Sequence, residues 1–484
     1  MHNTKRFSLI VTILLLVFKV CGALSIRDCQ DLALEHNLGI KAQQELLESA
    51  DNEQKSAFAD FLPALNAIGD YTYLSDQVVI DVEDKFLDLM NGVSDFSAYL
   101  NEAHAGDPNW EAGLYDPENS PFYNLLNEMY DAGLLDESLK QDLGDQNNWL
   151  FSLNVTQPLF TGGKILEKYR ISKYNMEISQ SELEKKKQEV LFETMKRYWL
   201  VIELESKQEL AEKYLETLNL YESDVENYLK EGIVTSNELL TVQVKKNEAE
   251  LNLLKVRNGI ALSRMALNQI IGYELNKQIE LSQSFPEEVQ YQKNQDLLAR
   301  ALEQRPELQI LSSGVDITNS LEKIAKSRYL PNVILSGNYN YLNPNPLNNL
   351  EVEFGDNWTV SVTAQWEIFK WNQRGFSTKA ARHRKAAIQK KYQEAEELIT
   401  LQLAQAQYQM TEAVARVEMC NRNLSSAEEN LRMSEDRFGE GLIKNAEVLE
   451  AQTLWYEAGS EQIAARAEYV LQQATVQKAA GELK

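Results

Sequence analysis

What this chain lacks narrows its class before anything it contains. It has four histidines, three cysteines and ten prolines in 484 residues. Of the histidines beyond the first few residues, His36, His104 and His383 are far apart, and none stands in a metal-ligand or nucleophile motif. Gly162-Gly163-Lys164 lacks the glycine spacing of a phosphate loop. Positive charge is short as well: 48 Lys and Arg stand against 73 Asp and Glu, a formal net charge of −25. Nucleic-acid phosphates demand a basic surface, so no nucleic-acid partner is expected. No catalytic residue, metal or cofactor is expected either, and the abundant carboxylates read as solvated helix faces. Past the N-terminal segment there is no run of roughly 20 apolar residues, the length of a membrane helix. Tilted strands of about 9–11 residues remain open, because their alternation escapes a hydropathy scan.

The N-terminal segment itself reads as a secretory leader. Lys5 and Arg6 precede an apolar run from Phe7 to Val20, and small residues Gly22 and Ala23 follow. That order is the one a signal peptide needs, and Lys19 interrupts the run as a membrane span would not tolerate. A leader over 1–23 with cleavage after Ala23 is the expectation, and Phe18-Lys19-Val20 is a poor context for lipidation of Cys21. Cys29 and Cys420 then remain, too few for a disulfide framework. Helix rise puts them at different heights, about 50 and 70 Å from their respective strands, so they are not expected to pair.

The chain is one unit written twice. Phe61-Leu62-Pro63-Ala64-Leu65 through Gly69-Asp70-Tyr71-Thr72-Tyr73-Leu74 returns as Tyr329-Leu330-Pro331-Asn332-Val333 through Gly337-Asn338-Tyr339-Asn340-Tyr341-Leu342, at an offset of 268. Downstream a second offset of 209 holds from Trp149/Trp358 through Gly232/Gly441 to Gly272/Gly481. A constant offset over more than a hundred residues means that the two copies have helices of equal length. The offsets differ by 59 because the first copy has 75–148 where the second has only 343–357. This insertion, acidic with only Lys85 and Lys140 as bases, reads as a surface loop on the outer side of a cell. The copies fall at 24–272 and 295–484, with a linker over 273–294.

Four segments alternate with period two, as half-buried strands do. Leu65, Ala67, Tyr71 and Tyr73 share one face against Asn66, Asp70 and Thr72. Trp149, Phe151, Leu153 and Val155 oppose Ser152, Asn154 and Thr156, and the second copy repeats both patterns. Aromatics gather toward the strand ends and the opposite face is polar with little charge, which favours a bilayer over an aqueous core. Four strands cannot close a barrel, and an open edge in lipid leaves backbone groups unsatisfied, so several chains must contribute. The remainder is helix. From Lys164 to Glu231 there is neither Gly nor Pro. Ala211, Tyr214, Leu218, Tyr221, Val225 and Tyr228 keep a 3-4 spacing, the coiled-coil interval. Ile26–Asp60 and Ser236–Ile271 are each expected as one helix about half as long as the rod beginning at Lys164.

These features together resemble the TolC-like outer-membrane factor family. The resemblance rests on the duplicated order helix, strand, strand, long helix, short helix, and on the junction Gln157-Pro158-Leu159-Phe160-Thr161-Gly162-Gly163-Lys164. It rests also on two helix–helix tips, Glu231-Gly232-Ile233-Val234-Thr235-Ser236-Asn237-Glu238 and Glu440-Gly441-Leu442-Ile443-Lys444-Asn445-Ala446-Glu447-Val448-Leu449-Glu450. The resemblance implies a mainly α fold with membrane β: a homotrimer with a 12-stranded barrel, four strands per chain, in outer-membrane lipid of a Gram-negative bacterium. A periplasmic tunnel of coiled helices would dock onto a periplasmic adaptor and an inner-membrane pump or ABC exporter, in efflux or type I secretion. It further implies that Glu447 and Glu450, with Glu238 at the first tip, ring a selective aperture. Gly232, Ile233, Val234, Gly441, Leu442, Ile443 and Lys444 would form the turns that meet the adaptor. Where the family has a tip tyrosine and arginine, this chain has Phe438 and Ile443, which cannot make the same hydrogen bonds. The rival readings are an enzyme, for which no constellation exists, and a soluble coiled-coil adaptor, which leaves the aromatic strand pairs unexplained.

Overall fold

A computed structural model describes residues 23–81 and 140–483, less residues 77 and 144 and a few positions within 283–295 and 346–351, with scattered residues between 92 and 132. The expected leader up to residue 22 and most of the acidic insertion lie outside the described residues. The chain divides into two compact units, one of strands (58–165 and 327–371) and one of helices (166–326, 372–484 and the segment before 58).

In the strand unit the four expected segments are β1 (Ala64–Tyr73), β4 (Asn147–Phe160), β5 (Asn332–Asn343) and β6 (Gly355–Gln365). They form one antiparallel sheet in the order β1-β4-β5-β6, so each copy supplies a hairpin and the two hairpins join at β4 and β5. Register places Asn66, Asn154, Asn338 and Thr359 in one row across all four strands. The side chains of Asn154 and Asn338 bond directly, and Asn338 Nδ2 donates to Thr359 Oγ1 at 3.3 Å. Two residues along, Ser152 Oγ donates to Asn340 Oδ1 at 2.7 Å and Asn340 Nδ2 to Asn357 Oδ1 at 2.9 Å. Polar side chains thus satisfy one another on this face. The other face carries the row Ala67, Leu153, Tyr339 and Trp358, and here apolar residues stand open, Trp358 at 73% and Val360 at 66% exposure. Near the ends of β1 and β4, Tyr71 and Trp149 rings meet at 4.4 Å. Pro158 can give no ladder donor, and the β4–β5 register shifts between Pro158 and Phe160.

The insertion departs from a plain loop at its base. Val78–Asp81 (β2) and Lys140–Leu143 (β3) pair as a two-stranded antiparallel ladder.

In the helical unit the two Pro-free rods are α3 (Lys164–Lys230) and α7 (Gln373–Gly439), both 67 residues or about 100 Å. Only α7 contains glycines, at Gly375 and at its last residue, Gly439. The return helices α4 (Ser236–Ile271) and α8 (Asn445–Ala479) have 36 and 35 residues. The single helix expected over Ile26–Asp60 is instead two, α1 (Ile26–His36) and α2 (Leu38–Ala59). Asn37 makes the break: its backbone turns extended (ψ 122°), and its Oδ1 accepts from the N–H groups of Gly39 (2.9 Å) and Ile40 (3.3 Å), capping α2. The second copy breaks at the corresponding place between α5 (Leu297–Gln304) and α6 (Pro306–Ser327), with Pro306 in the first helical position that tolerates it.

One core joins both copies midway along the rods. Tyr198, Trp199, Ile202, Leu267 and Ile271 of the first copy pack in the same cluster as Met410, Val417 and Ala465 of the second. The linker is pinned there: Asn268 Nδ2 donates to the carbonyls of Leu275 (3.0 Å) and Lys277 (2.7 Å), and Phe285 stacks on Trp199 at 5.5 Å. Leu24 bridges to Leu281, and Tyr198 OH donates to the Leu24 carbonyl at 3.2 Å. Cys29 and Cys420 are both buried free thiols, and burial pushes that of Cys29 up to about 12. Among the described residues no helix is long and apolar enough to cross a membrane.

Candidate functional site at the helical tips

Both rods end on the same device. At the first tip Gly232 takes φ 77°, and the N–H groups of Gly232 and Ile233 return to the carbonyls of Leu229 (3.1 Å) and Tyr228 (2.9 Å). At the second, Gly441 takes φ 69°, and the N–H groups of Gly441 and Leu442 return to Phe438 and Arg437, both at 2.9 Å. These paired back-bonds satisfy carbonyls that the helix end would orphan, and they need a left-handed residue that only glycine adopts at no cost. Space is not the reason, because a Cβ at either glycine would meet nothing within 4 Å.

The return helices also start alike. Glu238 reaches back so that the N–H of Thr235 donates to its Oε2 at 2.7 Å, and Thr235 Oγ1 does so at 3.0 Å. Glu447 accepts from the N–H of Lys444 at 3.2 Å in the same position of the second copy. Each carboxylate thus occupies a helix N-terminus, where its charge also complements the dipole. Glu447 and Glu450, one turn on, are both exposed. The turn residues Ile233 and Leu442 present apolar side chains at 63% and 68% exposure, Val234 and Ile443 are half-buried, and Lys444 is exposed.

The two tips are clasped to each other within one chain. Tyr221 OH on α3 donates to Asn445 Oδ1 on α8 at 2.6 Å, and Asn445 Nδ2 donates onward to the carbonyl of Glu238 on α4 at 3.1 Å. Asn445 of the second hairpin thus bonds to both helices of the first. Burial, first, and then Glu238, Asp224 and Glu435 nearby hold the Tyr221 phenol above its usual range, so it stays a donor. Phe438 lies between two aromatics of the other hairpin, Tyr221 at 5.4 Å and Tyr228 at 5.7 Å edge-on. Tyr214 and Tyr456 stack at 4.6 Å farther up. Around them Leu218, Val225, Val242, Val448 and Leu449 form a tip core of their own. The coiled-coil seam read from spacing is buried here as expected. Phe438, which cannot hydrogen-bond, contributes ring packing instead. Burial is also the first cause that raises the Glu435 carboxyl, with the Gln452 amide opposing the rise.

Nothing in the sequence signals the Tyr221–Asn445 bond, whose partners are 224 residues apart. Tyr221 could be read only as one position of an apolar seam, and Asn445 as one residue of a turn. Among the described residues no group of His, Cys, Asp and Glu is placed to hold a metal ion.

Comparison with known proteins agrees with this geometry. The sequence profile "Outer membrane efflux protein" matches residues 123–273 and 297–482, which together take in both rods, both tips and strands β4 to β6. No curated protein sequence matches. Solved structures of similar fold include the outer membrane protein VceC from Vibrio cholerae (TM-score 0.71, 14% identity, 94% of this chain and 96% of that one). The CmeC outer membrane channel of Campylobacter jejuni is similar at TM-score 0.70, 15% identity, 95% and 86% coverage. The MtrE outer membrane channel of Neisseria gonorrhoeae, captured in an open state, gives 0.69, 15%, 95% and 89%. Shared fold at such low identity means that the alternating strands and the paired rods, rather than particular side chains, carry the likeness. With four membrane strands per chain, an internally duplicated helical unit and the matching profile, the protein belongs to the outer membrane efflux protein family, channels of the Gram-negative outer membrane rather than enzymes.

Proposed function

We propose that three copies of this chain form the exit duct of a tripartite efflux pump, a passive conduit for substrates driven by an inner-membrane transporter. The observation that carries the reading is the four-stranded sheet, with an exposed apolar face and both edge strands, β1 and β6, unpaired among the described residues. Such edges are untenable in lipid, and three sheets of four close a 12-stranded barrel without them. The rods then supply the periplasmic tunnel. Exposed Ile233, Leu442 and Lys444, with half-buried Val234 and Ile443 beside Gly232 and Gly441, offer an adaptor six turns per trimer, three from each copy. Glu447 and Glu450 line the narrow end, with Glu238 capping the neighbouring helix. A ring of carboxylates favours cations over anions.

The test is planar-bilayer conductance of the purified channel. Glu447→Gln combined with Glu450→Gln is expected to weaken cation selectivity and any block by multivalent cations while the trimer melts almost unchanged. Unaltered selectivity would take these carboxylates out of the pore and leave the tips as docking surface alone.

A further inference from the structure

The two copies agree in backbone but part company in charge over the first five turns of their rods. Residues 164–182 of α3 hold four bases, Lys164, Lys168, Arg170 and Lys173, and three acids, Glu167, Glu177 and Glu182. The same stretch of the second copy, 373–391 of α7, holds seven bases and no acid: Arg374, Lys379, Arg382, Arg384, Lys385, Lys390 and Lys391. A difference of six charges between equivalent stretches at the starts of the two rods, in a chain at −25, calls for a reason beyond helix formation.

Packing accounts for part of the cluster. On α6, Glu322 pairs with Arg382 (3.3 Å), with Lys385 (3.7 Å) and with its own Lys326 (2.7 Å). The buried face of α7 is Thr378, Ala381 and the half-buried Ile388. Lys379, Arg384, Lys390 and Lys391 are exposed, and no ion pair holds them among the described residues. Lys390 donates only to Gln393 on its own helix, at 3.0 Å. In the first copy part of the charge is used internally: Glu167, buried, takes both Arg170 at 2.6 Å and Lys323 at 3.4 Å, and Lys173 lies 3.9 Å from Glu177.

Chain continuity limits how far the first of these bases can lie from the end of β6. β6 ends at Gln365 and α7 begins at Gln373, a link that reaches about 27 Å at most. That link is aromatic and open, with Trp366, Phe369 and Trp371 exposed, the last at 86%, and Phe376 continues the pattern into the first helical turn. Amphipathic aromatics followed by bases are what a membrane–water boundary selects, rings at the headgroup level and cations beyond it. Lys and Arg stems lie along apolar surface while their charges reach phosphate.

We propose that the first turns of α7 bind anionic phospholipid headgroups of the leaflet that faces the periplasm, and that the trimer so carries a basic collar fixing its depth in the bilayer. The proposal rests on the outer-membrane placement of the barrel. The first copy, with its near-neutral helix start, contributes little to the collar.

Native mass spectrometry of the full-length channel in mild detergent tests it, with phosphatidylglycerol and phosphatidylethanolamine titrated separately. The wild-type channel is expected to retain phosphatidylglycerol in preference, and to lose that preference in high salt, since exposed charges are screened within a few ångströms there. Lys379→Gln with Arg384→Gln, the exposed, unpaired bases nearest the start of α7, should weaken phosphatidylglycerol retention by about tenfold. Lys168→Gln with Lys173→Gln should leave it within about twofold. Equal retention of both lipids by the wild type overturns the proposal without recourse to any variant. A double variant that keeps its phosphatidylglycerol overturns it too, and a change in pore selectivity in that variant would place the bases in the lumen. A wild-type protein that makes no pore and stays out of membranes would instead sink the channel reading beneath it.

Discussion

The strand unit and the helical tips store their specification in different ways. In the sheet it is spread over a pattern: rows such as Asn66, Asn154, Asn338 and Thr359 on one face, and Ala67, Leu153, Tyr339 and Trp358 on the other, repeat the same chemistry across four strands. At the tips it is concentrated in a few side chains, Gly232 and Gly441 for reversal, Tyr221 and Asn445 for the clasp, Glu238 and Glu447 for the caps. A pattern tolerates exchange of any one member for another of its kind but not a change of face. A point device fails when its one residue changes, however conservative the exchange. That difference explains how solved channels at 12–15% identity keep this fold while the tip residues of this chain depart from the pattern of the family it resembles.

The largest effect should come from putting a charge on the wrong face. Leu153→Arg faces the lipid in the middle of β4 and is expected to cost about 2–4 kcal/mol of barrel stability in a reversible urea titration in lipid vesicles. Asn66→Arg, on the polar face of the neighbouring strand, should cost far less and change ion selectivity instead. Equal costs for the two would deny that the sheet has a lipid face.

A smaller effect, with opposite signs at neighbouring positions, is expected at the second tip. Gly441→Ala must hold a left-handed backbone and should cost about 1–2 kcal/mol of local stability. Gly439→Ala, two residues earlier with a right-handed backbone and equally open space, should instead stabilise by about 0.4–1 kcal/mol. Hydrogen exchange of the tip amides reads both, and matching signs would remove the backbone argument.

The smallest effect concerns the clasp. Tyr221→Phe keeps the ring between the hairpins and loses one buried hydrogen bond, worth about 0.5–1.5 kcal/mol. The tip should exchange faster and the channel open more often, with the barrel unmoved. The phenol is held above its ordinary value in the folded chain, so its contribution is complete below about pH 10, the unfolded value, and fades as pH rises past that point. Conductance at pH 8 and at pH 11 should therefore differ in the wild type and differ less in Tyr221→Phe.

Patterned regions were legible in the sequence, and point devices were legible only where the residue type has one meaning. Period-two alternation located all four long strands, and the offset of 209 located rods of equal length. The glycines at 232 and 441 announced their turns, since glycine after an unbroken rod has few other uses. Asn37 did not announce the break between α1 and α2, because asparagine ends helices only when its side chain finds the next helix's N–H groups, and that depends on where the chain goes. The β2–β3 ladder was hidden for a different reason: Lys140-Gln141-Asp142-Leu143 has no apolar alternation to mark it as a strand. The clasp could not be read at all, as its two ends lie in different copies and meet only when the hairpins pack.

Oligomeric mass tests the central claim most directly. Native mass spectrometry of the protein extracted from outer membranes in mild detergent should find three chains in one particle, since the two open edges of each four-stranded sheet require partners in lipid. A monodisperse single chain, with its sheet intact by circular dichroism, would contradict the barrel and with it the channel.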